Sequence, residues 1–201
     1  MQLSASHSVL AETFGPNEGT ARRIKQAVLV VLGIALLAVM AKIKVPVPGS
    51  PVLMSMGTFA VLTIGAAYGP RLGLATILGY MIIGALGFDI FQSSTAELNG
   101  TAYMMGSTGG YLLGYVMATI MLGLLAARGW DRSVVWMALA MLIGNVLLYV
   151  PGLLWLGHLY GWDQPILAWG LTPFLIGDFL KLALAAALLP AVWKLVGTAR
   201  R

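Results

Sequence analysis

The chain has 201 residues, of which 59% are hydrophobic, 9% are charged and none is cysteine. Soluble globular domains carry about 25% charged residues, so this composition excludes an ordinary soluble protein and indicates a polytopic membrane protein. The lack of cysteine excludes disulfides and thiolate metal sites. The formal net charge is +5, and in such a chain the positive residues report membrane topology rather than nucleic-acid binding.

Residues 1–21 lack the basic start and apolar core of a secretory signal peptide. We interpret them as a cytoplasmic tail, followed by one membrane domain at residues 22–201. The apolar stretches predict an all-α bundle of six transmembrane helices, since about 20 residues are needed to cross a bilayer. The predicted helices cover residues 24–43, 55–68, 71–88, 108–128, 133–156 and 171–196.

The connection after the first predicted helix is rich in proline and reads VPVPGSPVLM at residues 45–54. The helix that follows it is short for a span and ends at the turn signal of Gly69 and Pro70. The connection should therefore dip toward the membrane, where irregular backbone is tolerated only inside protein or along a cavity. It is a candidate wall or lid of a pocket, although an ordinary extended connector has the same spacing.

Most basic residues fall on the side of the membrane that carries both termini. Lys42 and Lys44 fall on the other side, and Lys181 lies inside a span. By the positive-inside rule the termini are cytoplasmic. The loops 89–107 and 157–170 then face outward, which favours a site that opens to the outside. The residues on the terminal side are Arg22, Arg23, Lys25, Arg71, Arg128, Arg132, Lys194, Arg200 and Arg201.

Catalytic motifs are missing from the sequence. It has no nucleophile elbow, no zinc-protease motif and no phosphate-binding loop, and its carboxylates lack metal-ligand spacing. His158 stands at an outer helix end and is best interpreted as an interfacial polar residue. The chain is therefore predicted to be no enzyme, and active transport would need an ion gradient or partner subunits.

Two charged residues, Asp178 and Lys181, lie within the last predicted span. A charge inside a membrane costs roughly 2.5–3.5 kcal/mol on insertion scales, so such residues usually have a partner or a function. Residues i and i+3 share a helix face, so the two can contact each other or a common ligand. Two interpretations stay open: an ion pair that fixes helix packing, or the floor of a pocket in the outer half of the membrane.

Other polar groups in apolar spans are candidates for the same pocket. The amide of Asn145 can donate and accept toward a ligand, or it can form an interhelical hydrogen bond. Ser107 or Thr108 can cap the fourth predicted helix. Tyr111 and Tyr115 lie four residues apart on one face, which fits a pocket wall or an aromatic belt at the membrane interface.

These segments together resemble the biotin-specific substrate-binding (S) component of energy-coupling-factor (ECF) transporters. The resemblance runs through about residues 24–196. It rests on VPVP at 45–48, GAAYGPRLG at 65–73, GSTGGYL at 106–112, Asn145 and PFLIGDFLK at 173–181. Each motif alone is weak, whereas GSTGGY and GDFLK in combination are specific.

The resemblance implies a six-helix protein of the bacterial cytoplasmic membrane that binds biotin near the outer face, without a cofactor or metal. Its implied partners are a transmembrane coupling component and two ATP-binding-cassette ATPases. Carried over by position, Asp178 and Lys181 anchor biotin, and Asn145, Tyr111 and Ser55 add to the lining. The alternatives are an S component for another vitamin and a structural membrane protein.

The sequence departs from the family pattern at several positions. Gly57 stands where the family usually has glutamine, and Ser55 keeps a hydroxyl where the family usually has threonine. Ser107 replaces the usual proline. The alanines of the first helix, at positions 35, 38 and 41, are three apart, whereas S components often carry alanines four apart for docking the coupling component.

Overall fold

The computed structural model describes residues 8–46 and 49–199, and these residues are mostly α-helical. The helices are α1 (Leu10–Thr13), α2 (Gly19–Lys42), α3 (Gly57–Ala85), α4 (Gly100–Met104), α5 (Gly109–Ala126), α6 (Val134–Tyr160), α7 (Ile166–Gly170) and α8 (Leu175–Ala199). Two short strands, β1 (Lys44–Val45) and β2 (Met54–Ser55), pair antiparallel in the connection from α2 to α3. Short 3-10 turns at Trp130–Arg132 and Thr172–Phe174 precede α6 and α8.

Five helical stretches of the described chain are long and apolar enough to cross a membrane, judged by length and composition. They are α2, α3, α5, α6 and the stretch Ile166–Gly197, which contains α7 and most of α8. Large apolar side chains such as Val31, Ile82 and Ile176 are exposed on the surface of the bundle. An apolar surface suits lipid, so the predicted class, a helical membrane protein, is confirmed.

The helix α3 contains both the second and the third predicted span, and it is broken between them at Gly69. Gly69 has φ 77° and ψ 178°, a conformation essentially restricted to glycine, and Pro70 follows it. A Cβ atom built on Gly73 would lie 3.5 Å from the Cα atom of Gly65. Eight residues of straight helix would separate these positions by about 12 Å, so the two halves fold back on each other as a hairpin.

The helix α5 packs between the α3 hairpin and α6 through close backbone approaches. A Cβ atom on Gly114 would lie 2.7 Å from the Cα atom of Leu148 in α6. A Cβ atom on Gly123 would lie 2.4 Å from the backbone nitrogen of Pro70 at the turn of the hairpin. Only residues without a side chain allow helices to approach this closely.

The first described residues pack against the turn of the α3 hairpin. Val9 and Leu10 are buried, and Val9 lies against Gly69. α2 begins at Gly19, five residues before the predicted start of the first span. Residues 8–13 are therefore packed onto the bundle, while the division of the chain at residue 21 stays a prediction.

Candidate functional site

A cavity with an open mouth lies inside the bundle at the end that carries β1 and β2. Its walls come from the α3 hairpin, α5, α6 and α8, and the connections after α2 and α3 close over it. The space between the lining atoms, including the open mouth of the cavity, is about 560 Å³. The centre of a water molecule fits into about 40 Å³ of that space. The cavity is therefore narrow.

The charged pair of the last span forms one wall of this cavity. Lys181 Nζ lies 3.0 Å from Asp178 Oδ1, and only 11% and 7% of the two side chains are exposed. Lys181 Nζ also donates to Thr58 Oγ1 at 3.0 Å, and Tyr149 Oη donates to Asp178 Oδ2. Each buried charge thus has its counter-ion and a neutral partner from another helix, which offsets the cost of removing both from water.

Tyrosine rings supply much of the remaining wall. Tyr111 Oη donates to the carbonyl of Gly170 at 2.8 Å, and its ring meets Tyr149 edge to face at 6.2 Å between centroids. Tyr115, one turn further along α5, lines the same cavity. Aromatic walls with a few placed polar atoms are typical of sites for small ligands that combine rings with polar groups.

The loop between α3 and α4 covers the cavity, and we call residues 86–99 the lid loop. The ring of Phe91 is buried between Tyr80, at 5.3 Å edge to face, and Tyr103, at 4.8 Å in a stacked arrangement. Beside it, Gln92 Oε1 accepts a hydrogen bond from Ser55 Oγ in β2 at 2.9 Å. The lid loop and the proline-rich connection therefore meet over the cavity.

The proline-rich connection contributes Val52, Leu53 and Ser55 to the lining of the cavity. It therefore forms a wall of the pocket, one of the two alternatives that its spacing allowed. Residues 47–48 of the same connection lie outside the described residues.

Two basic residues tie the lid loop to the end of α2. Lys42 Nζ donates to Asp89 Oδ1 at 2.5 Å, and Lys44 Nζ donates to the backbone carbonyl of Gln92 at 2.9 Å. The hydrogen bonds from Lys42 and Ser94 hold the pKa of the Asp89 carboxyl below its usual value. Lys42 and Lys44, the exceptions in the distribution of basic residues, thus have partners in the lid loop.

The structure brings four of the five predicted site residues together around the cavity: Asp178, Lys181, Tyr111 and Ser55. Asn145 does not line it. It is half-buried in an apolar groove between α6 and α8, which shares Tyr149 and Asp178 with the cavity, and its amide forms no hydrogen bond with the part of the chain that the structure describes. One helical turn, about 5.4 Å, separates Asn145 from Tyr149, which is the residue of α6 that reaches the charged pair.

The predicted cap of the fourth span is not formed. Thr108 is the N-cap residue of α5, but no side-chain capping hydrogen bond is made there. Ser107 Oγ donates instead to the backbone carbonyl of Pro51 at 3.2 Å, which links the start of α5 to the proline-rich connection. His158 is exposed near the end of α6 and lies outside the cavity.

Sequence reasoning missed several polar residues of the cavity, among them Thr58, Tyr149 and Gln92. Each contacts its partner across a long sequence separation, so no local pattern marks it. The rotation of each helix decides which side chain points inward, and that rotation depends on packing against neighbours. Thr58 had one usable signal, since it lies in the first turn of the predicted helix that follows the loop dipping toward the membrane.

The geometry of the cavity defines a class of protein. The described residues contain no group of three or more histidines, cysteines, aspartates or glutamates that could hold a metal ion. An aromatic cavity with a compensated charged pair, inside an apolar helical bundle, is the site of a membrane protein that binds a small, partly polar ligand.

The chain belongs to the BioY family, whose pattern it matches over residues 11–198.

Curated relatives support this assignment. The chain is 35% identical over 163 residues to the "Probable biotin transporter BioY" of Pyrococcus horikoshii, covering 81% of this chain and 93% of the relative. It is 28% identical over 152 residues to the "Biotin transporter BioY" of Thermotoga maritima, covering 76% and 86%. The predicted family resemblance is confirmed, and with it the prediction of a transport protein rather than an enzyme.

A solved structure shares the fold. The crystal structure of the "S-component for biotin from an ECF-type ABC transporter" superposes with a TM-score of 0.75 at 18% identity. The match covers 89% of this chain and 95% of that chain. The present bundle therefore has the architecture of an S component.

Proposed function

We propose that this chain is the biotin-binding membrane subunit of a vitamin uptake transporter. The single observation that carries the proposal is the cavity with the Asp178–Lys181 pair in its wall, in a chain of the BioY family. The named biotin transporters among its relatives and the biotin S component that shares its fold support biotin as the ligand.

The chemistry of biotin matches the groups around the cavity. Its ureido ring has two N–H donors and a carbonyl acceptor, its tail ends in a carboxylate, and its bicyclic thioether is apolar. Asp178 supplies an acceptor for N–H groups, and Lys181 supplies a donor for either oxygen-bearing end. The rings of Tyr111 and Tyr115 provide apolar surface for the bicycle, and Ser55 adds a hydroxyl at the lid. Asn145 is not part of the proposed pocket, because it lies in the groove between α6 and α8.

We further propose six membrane crossings with both termini in the cytoplasm. The hairpin at Gly69 makes two crossings of α3, which adds one to the five long helical stretches. Arg71 at the hairpin turn and Arg128 after α5 then lie with the termini, as the positive-inside rule favours. The pocket consequently opens to the outside, on the side of the lid loop.

The partners follow from the same proposal. The S component of an ECF-type transporter supplies ligand binding, and the chain has no phosphate-binding loop of its own. We therefore propose a transmembrane coupling component and two ATP-binding-cassette ATPases as partners. The cytoplasmic membrane of a bacterium is the proposed location.

Ligand binding to the purified chain tests the function directly. We expect saturable binding of radiolabelled biotin and a rise of the melting temperature with biotin but not with riboflavin or thiamine. At a ligand concentration 100 times Kd the stabilisation is about 2.7 kcal/mol. Stabilisation by another vitamin alone would favour an S component of different specificity, and no binding of any vitamin would contradict the proposal.

A structural membrane protein is the second candidate, and one observation favours it. The Asp178–Lys181 pair joins α8 to α3 through Thr58 and to α6 through Tyr149, so it can serve helix packing alone. Variants that separate packing from binding decide between the two roles.

A further inference from the structure

The side chain of Gln92 reaches into the cavity from the lid loop. It is half-buried and lines the same space as Asp178 and Lys181. Its Oε1 accepts from Ser55 Oγ at 2.9 Å, and its Nε2 donates to the backbone carbonyl of Leu53 at 2.5 Å. A carboxamide has two N–H donors and two acceptor lone pairs, so one donor and one acceptor are left over at the cavity.

The lid loop does not depend on the Gln92 side chain for its anchorage. Phe91 is held between two tyrosine rings, Lys42 pairs with Asp89, and Lys44 holds the backbone carbonyl of residue 92. Three fixed points, at residues 89, 91 and 92, thus set the course of the loop without the carboxamide. Instead, two hydrogen bonds with the proline-rich connection, one to Ser55 and one to Leu53, orient the carboxamide. Groups that contact a ligand are held in this way by supporting hydrogen bonds.

The space around Gly57 lies beside the same group. A Cβ atom on Gly57 would lie 3.1 Å from Ser55 Oγ and 3.1 Å from Tyr115 Oη, and both residues line the cavity. A longer side chain at position 57 would therefore press on these two side chains, which must shift slightly for it to reach the cavity. The family pattern usually carries glutamine at position 57, where this chain has glycine.

We propose that Gln92 is a ligand-contacting residue of the pocket, which donates its remaining amide N–H to an oxygen of bound biotin from the lid side. The proposal rests on the proposed function. It assigns the carboxamide that is missing at position 57 to a residue from a different loop. Both oxygen-bearing ends of biotin accept hydrogen bonds, so the contact does not require one orientation of the ligand.

The test compares biotin affinity in two variants of residue 92. Gln92→Met keeps the size of the side chain and removes both polar functions. Gln92→Glu keeps the acceptor for Ser55 and removes the N–H donors. We expect Kd for biotin to rise about tenfold or more in both variants, while the melting temperature of Gln92→Met without biotin stays near that of the wild type. Gln164→Met, at a glutamine outside the cavity, is the matched control and should bind as the wild type does.

A second-site change separates ligand contact from an effect on the loop. In Gly57→Gln combined with Gln92→Met, the new carboxamide approaches the cavity from the start of α3, and we expect it to recover most of the lost affinity. Kd within twofold of the wild type in Gln92→Met would overturn the inference and leave biotin binding by the wild type intact. A folded double variant without recovery would also overturn it. If the wild type itself binds no biotin, the proposed function fails instead.

Discussion

Replacement of Asp178 by asparagine separates the two roles of the charged pair. The amide keeps the shape of the carboxylate and an acceptor for Tyr149, but it leaves the buried Lys181 ammonium with only Thr58 as a partner. At 3.0 Å and an effective dielectric constant of about 20, the lost attraction is about 5.5 kcal/mol. Removal of one partner from a buried pair typically costs 3–5 kcal/mol, and we expect Asp178→Asn to lose about this much stability.

The double variant Asp178→Asn with Lys181→Gln removes both charges and leaves no buried ion without a partner. Neutral replacements of a buried pair are often as stable as the pair itself, so most of the stability should return. Biotin binding should not return, because the charged acceptor and the charged donor are both gone. If the double variant regains stability but not biotin affinity, the charged pair is part of a binding site.

The assay measures two quantities on four proteins: the wild type, both single variants and the double variant. Unfolding in detergent reports stability, and titration with radiolabelled biotin reports Kd. Asp163→Asn, at an exposed acid of the outer loop, is the control and should change neither quantity. Wild-type affinity in the double variant would refute a binding role for the pair. Wild-type stability in Asp178→Asn would refute the claim that the pair compensates a buried charge.

Three further predictions concern the frame of the site. Gly69→Ala should cost about 1–3 kcal/mol of stability, since alanine is strained at φ 77°, whereas Gly197→Ala, with open space, should not. Gly114→Ala should cost about 1–3 kcal/mol in the same unfolding assay, because its Cβ would meet the α6 backbone at 2.7 Å. The pKa of Asp89 is lowered in the folded chain, so its link to Lys42 stabilises the lid loop above the unfolded pKa near 4 and is lost as pH falls further. The protection factors of the lid-loop amides, which correct for the intrinsic pH dependence of exchange, should therefore fall below about pH 4, and in Asp89→Asn they should be low at every pH; an unchanged pH profile of protection in that variant would contradict the link.

Much of the fold was predictable because the bilayer leaves few alternatives. A membrane span must be helical and apolar over about 20 residues, so hydropathy alone predicts where α2, α5, α6 and α8 lie. The break at Gly69 was predictable too, since glycine followed by proline ends a helix. The helix edges were less accurate, and α6 runs four residues beyond its predicted end, to Tyr160.

The site was predictable only where chemistry made a residue conspicuous. Asp178 and Lys181 stand out because charge is costly in an apolar span, and the structure places them in one cavity. Asn145 stands out for the same reason, yet it lies in a different groove. Conspicuous polarity identifies a residue with a partner or function, but it does not say which way the helix faces.

By itself, the sequence determined the helical membrane class, the hairpin at Gly69 and the chemistry of the charged pair, because each depends on local composition or on a few neighbouring residues. Only the tertiary structure decided which groups meet over the cavity. Tyr149 and Thr58 reach the pair through helix rotation, and Gln92 reaches Ser55 through the course of the lid loop. Rotation and loop course follow from side chains packing across many residues of separation, which no local pattern records.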